Sequence, residues 1–91
     1  MGSLDAKVAL VTGAGQGVGE GIALALAAEG ASVVVAGRTL AKVERTAAEI
    51  ARRGGNARAV ACDVKNEREI QACVRATVEA FGGLDILVNN A

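Results

Sequence analysis

The sequence predicts an α/β fold, a doubly wound parallel sheet with strand order 3-2-1-4 and three helices, and three observations predict it. Apolar runs without alternation, such as Val8-Ala9-Leu10-Val11, recur between segments of helical period. Strands of that kind are buried on both faces, as in a parallel sheet covered by helices on each side. Strand and helix signals alternate as βαβαβαβ with no linker, repeat or low-complexity tract, and right-handed crossovers then put the first strand inside the sheet. Finally, a glycine-rich turn, Thr12 to Gly19, carries the first strand into the first helix.

The elements follow in order. Lys7 to Val11 is the first strand, and the first helix runs from about Gly17 to Glu29. Its face is marked by Ile22, Ala25, Leu26 and Glu29, and Gly30 supplies a left-handed C-terminal cap. Ser32 to Gly37 is a second, β-branched strand. Thr39 is placed to cap the next helix, whose Leu40, Val43, Ala47 and Ile50 recur at helical spacing until Gly54-Gly55 ends it. The third strand, Ala57 to Cys62, is Ala-rich and delivers Asp63 at its carboxyl end. Asn66 with Glu69 approximates a capping box, so the third helix starts at Glu67 and runs to about Phe81 along Ile70, Val74, Thr77, Val78 and Phe81. Gly82-Gly83 breaks it, and Leu84 to Val88 is the fourth strand.

Composition narrows the function. The 91 residues make one domain at most, and a domain of this size buries only about two-thirds of its unfolded surface. Ten basic and ten acidic side chains cancel, with no basic block or aromatic platform, so nucleic acid is not an expected partner. The longest apolar run, Ile22 to Ala28, is far short of the roughly 20 residues of a membrane span. With no export signal ahead of the first strand, a cytoplasmic protein is expected. There is no His, so Cys62 and Cys73 form no metal set and read as small buried hydrophobes.

Glycines at the Thr12 to Gly19 turn let backbone N–H groups approach a ligand, and the helix behind offers its positive end to an anion, a diphosphate above all. The G-x-G-x-x-G spacing fails in every frame; Gly13, Gly17 and Gly19 instead give T-G-x-x-x-G-x-G. That pattern, with Asp63-Val64 and Asn89-Asn90-Ala91 in order behind it, resembles the short-chain dehydrogenase/reductase family, with its T-G-x-x-x-G-x-G, D-V and N-N-A-G motifs. The resemblance covers the whole chain and implies a Rossmann-type, NAD(P)-binding domain. The chain stops inside N-N-A-G, ahead of the family's catalytic Ser, Tyr and Lys, so no catalytic residue is assigned, and the 91 residues alone are expected to be inactive.

In a sheet of this order a ligand lies outside the carboxyl ends of the strands, where the strand order reverses. The glycine turn, Arg38, Asp63 and Asn89-Asn90 all fall at that edge. Gly13 makes the turn, Gly17 lets the backbone approach the diphosphate and Gly19 allows close helix packing, with Gln16 and Val18 flanking the contact. Gln16 is either beside the adenosine ribose, as the resemblance implies, or a solvated loop residue. Strand two ends in Gly37 rather than in the carboxylate that binds the ribose hydroxyls of NAD and repels a 2′-phosphate. Arg38 can pair with that phosphate and Thr39 can add a hydroxyl, which favours NADP(H) over NAD(H). The resemblance further implies that Asp63, with Val64 nearby, meets the adenine and that Asn90, followed by Ala91, meets the cofactor ribose. Asn89 is expected to tie neighbouring strands together. As an alternative, Asp63 satisfies backbone donors in a turn.

The expected activity is hydride transfer between the nicotinamide and a carbonyl or alcohol substrate. A non-catalytic dinucleotide-binding or interaction module is the competing class, and a nucleoside-binding methyltransferase a third, for which Gly37 lacks the usual carboxylate. Helices one and two cover one sheet face and helix three only part of the other, so a homo-oligomer or a complementary chain is expected over the bare surface.

Overall fold

The computed structural model describes residues 2–90. Four strands, β1 (Val8–Thr12), β2 (Ser32–Gly37), β3 (Asn56–Ala61) and β4 (Ile86–Asn89), alternate with helices α1 (Gly17–Ala28), α2 (Leu40–Arg52) and α3 (Glu67–Phe81). All pair in parallel, in the order β3-β2-β1-β4. The expected fold class is therefore the observed one.

Alternation divides the core into two layers. Ala9 and Val11 of β1 and Val33 and Val35 of β2 point to the side where α1 and α2 pack, against Ala23, Val43 and Ile50. Leu10, Val34 and Ala36 point the other way, to Cys62, Cys73 and the apolar stripe of α3. Every residue of β1 is buried, which is why its sequence shows no polar alternation. The outer strands are less covered, and Leu87 of β4, beside Leu10 in the register, is 54% exposed.

Pairing moves both limits of three strands, β1, β3 and β4, by one or two residues. Asp85 leads into β4 rather than belonging to it: its carboxylate accepts the Val8 N–H at 2.8 Å while its own N–H donates to the Val8 carbonyl at 2.9 Å. The buried face of α1 is Gly19, Ala23 and their half-buried neighbours Ile22, Leu26 and Ala27; Ala25 and Glu29 are exposed. The helix is apolar nearly all round, so its period could not single out a face. Leu40 and Val78 are exposed, whereas Thr46 and Cys73 join the expected Val43, Ile50 and Thr77 at the buried positions of their helices.

The caps also divide. Asn66 caps α3 as expected, its Oδ1 accepting the N–H groups of Arg68 and Glu69. The reciprocal half of the box does not form, because the Asn66 N–H donates to the Asp63 carbonyl and Glu69 turns instead to the Asp63 N–H, at 2.9 Å. Thr39 stands at the cap position of α2 but its side chain makes no capping bond.

Candidate functional site

The carboxyl ends of the four strands open into a cavity of about 560 Å³. It is lined from the turn after β1 by Gly13, Gly15, Gln16 and Gly17, and from the end of β2 and the start of α2 by Gly37, Arg38, Thr39, Lys42 and Val43. Cys62, Asp63, Val64 and Lys65 close it beyond β3, and Asn90 beyond β4. Four separate loops thus reach one crevice, at the point where the strand order reverses.

The turn is held from three sides. Ala14 donates its N–H to the Ala36 carbonyl at 3.0 Å and accepts the hydroxyl of Thr46, from α2, at 3.0 Å. On the β4 side the hydroxyl of Thr12 bonds Oδ1 of Asn89 and accepts the Asn90 N–H, so Asn89 does tie β4 to β1. A side chain at Gly13 would run into the Asn90 carbonyl, and one at Gly19 into the Gly13 carbonyl. Gly17 shares the left-handed φ of Gly13, +61° against +62°, but nothing lies within 4 Å of where its Cβ would stand. The backbone there faces open space that a side chain would fill, at the N-terminal end of α1, and this is a cradle that fits a diphosphate.

Of the sequence-predicted residues, Gly13, Gln16, Gly17, Arg38, Thr39, Asp63, Val64 and Asn90 meet at the cavity. Gly19 lies beneath it, buried under the turn, and Val18 stands outside the lining, 71% exposed on the first turn of α1. Ala91 lies outside the described residues. Asp63 has a local duty as well, since its Oδ1 accepts the Lys65 N–H at 3.0 Å; its second oxygen takes no part in that turn. Sequence reasoning missed Gly15, Lys42 and Lys65. Lys42 had a signal, a second cation four residues after Arg38 in the chain.

Arg38, Lys42 and Lys65 outnumber Asp63 along the lining, so the crevice favours an anion. The Cys62 and Cys73 thiols are both buried in the layer beneath. Burial pushes the Cys62 thiol up from its ordinary range and, aided by the neighbouring Cys62, pushes Cys73 up to about 12. They stay protonated and supply no nucleophile. No helix among the described residues is long and apolar enough to cross a membrane.

A parallel sheet of order 3-2-1-4 with a glycine turn, a strand-end Asp and an Asn pair at its reversal point defines a nucleotide-binding α/β protein. The chain belongs to the short-chain dehydrogenase family, whose model matches residues 7–91. It is 51% identical over 88 residues to galactitol 2-dehydrogenase of Agrobacterium fabrum, covering 97% of this chain and 33% of that protein. It is also 48% identical over 85 residues to the short-chain reductase NovJ of Streptomyces niveus, covering 93% of this chain and 32% of that protein. Among solved structures, a hydroxysteroid dehydrogenase from Escherichia coli superposes with a TM-score of 0.95 at 43% identity, over 97% of this chain and 37% of that one. A 7α-hydroxysteroid dehydrogenase complexed with NADH and 7-oxo glycochenodeoxycholic acid gives the same score and identity, over 97% of this chain and 34% of that one. The chain spans about a third of the length of the curated relatives it matches.

Proposed function

We propose that this chain is the cofactor-binding part of an oxidoreductase that uses NADP(H) in preference to NAD(H) to interconvert a carbonyl and an alcohol. The observation that carries the cofactor choice is the end of β2, where Gly37 and then Arg38 line the cavity and no carboxylate stands to repel a 2′-phosphate. When bound, the nicotinamide supplies or accepts the hydride. The chain's own residues bind and orient. Gly13 and Gly17 bring backbone N–H groups to the diphosphate at the start of α1, with Gly19 keeping that helix close and Gln16 and Val18 on either side. Arg38 and Thr39 take the 2′-phosphate, Asp63 and Val64 the adenine, and Asn90 with Ala91 the ribose next to the nicotinamide. The exposed Leu87 and Val78 favour a further chain or copy over that side of the sheet.

A second reading, use of NAD(H), is favoured by the 43% identical relative solved with NADH. Titration with NADPH and NADH, followed by nicotinamide fluorescence, separates the two. Tighter binding of NADPH supports the first, and equal or NADH-favouring affinity defeats it.

A further inference from the structure

Lys42 is a half-buried residue in the first turn of α2 whose Nζ donates to Oε1 of Gln16 at 2.7 Å. The positive end of a helix favours carboxylates, and α1 and α3 carry them there, Glu20 in one and Glu67 and Glu69 in the other. The first turn of α2 has no acid, and its charge is a lysine. A cation in that place works against the helix dipole until an anion arrives. Its stem is fixed, because it packs against the glycine turn so closely that a Cβ at Gly15 would come within 2.8 Å of the Lys42 Cβ. The end of the side chain lies beside a cavity that Arg38, four residues earlier, also lines. Its present partner is a neutral amide oxygen on an exposed residue, a weaker acceptor than a phosphate dianion.

Resting on the NADP(H) reading above, we infer that Lys42 is a second cation for the 2′-phosphate, acting with Arg38. Gln16 is a positioning residue: it holds the ammonium at the rim of the cavity, between the glycine turn and α2, and releases it to the phosphate. This gives Gln16 a role through Lys42 and makes discrimination between the two dinucleotides a property of the pair Arg38 and Lys42.

The test is binding of NADPH and NADH to the wild type and to Lys42→Met, Lys42→Arg and Gln16→Ala. Lys42→Met should weaken NADPH about tenfold and leave NADH within about twofold, since only NADPH carries the phosphate. Lys42→Arg should keep NADPH close to wild type, and Gln16→Ala should weaken NADPH by less than Lys42→Met. A wild type with no preference for NADPH overturns the cofactor reading and this inference together. A wild-type preference that Lys42→Met leaves intact overturns the inference alone, as does an equal loss of both dinucleotides, which marks Lys42 as merely structural.

Discussion

The hydroxyl of Thr12 donates to Oδ1 of Asn89 at 3.0 Å and so clasps the carboxyl ends of β1 and β4. The same oxygen accepts the Asn90 N–H at 3.1 Å, in a buried position. Thr12→Val keeps the shape but leaves both partners unmatched, which should cost about 1 to 3 kcal/mol. Urea denaturation measures it, and cofactor affinity should fall with it because Asn90 is released from its place at the cavity. An unchanged midpoint would show that the clasp contributes nothing.

Two glycines of the turn should separate stability from binding. Gly19→Ala drives a methyl into the Gly13 backbone and should destabilise the fold by about 3 kcal/mol, since neither backbone can yield cheaply. Gly17→Ala meets no protein atom and costs only its left-handed φ, about 1 to 2 kcal/mol. Its methyl enters the cradle, so it should lose far more cofactor affinity than stability. Denaturation and NADPH titration on both variants check this, and the reverse order would contradict the assignment of Gly17 to the diphosphate.

Gly37→Asp should move preference towards NADH by supplying a carboxylate at the end of β2. The change is not free of strain: a Cβ at Gly37 lies 2.9 Å from Cγ1 of Val43, a stiff buried side chain. A loss of about 1 to 2 kcal/mol in stability should accompany the switch. The ratio of NADH to NADPH affinity is the measurement, and a ratio no higher than wild type would refute the role given to Gly37.

The two thiols make a pH prediction. The Cys73 thiol is raised by burial from an ordinary 9.0 to about 12, so folding favours its neutral form. Its contribution to stability is complete below pH 9 and is lost as pH rises towards 12, because the unfolded chain ionises first. Iodoacetamide at pH 8 should therefore label both cysteines in urea and neither in the native protein. Native labelling as fast as that of a free thiol would contradict the burial of both.

Local chemistry and the topology of the sheet were legible in the sequence, and contacts between individual side chains of distant elements were not. The alternation of elements and the Asn66 cap depend on residues near one another in the chain, the strand order follows from right-handed crossovers between those elements, and all three appear as expected. The buried face of α1 was misread because Ala23 and Ala25 are chemically alike and only packing on β1 and β2 distinguishes them. Thr46 and Lys42 escaped notice because each acts through the glycine turn, about 30 residues away in sequence. Thr39 looked like a cap by residue type, but its hydroxyl is left uncommitted at the cavity lining, which is where a ligand would meet it. The crevice itself was legible, since the topology brings all four loop motifs to one edge.

The proposed selection of the phosphorylated cofactor by the end of β2 is measured most directly as the ratio of NADPH to NADH dissociation constants at one ionic strength. With Gly37 and Arg38 at that strand end, NADPH should bind tighter by about tenfold or more, with the margin shrinking as salt rises. Equal affinities, or tighter binding of NADH, would contradict it.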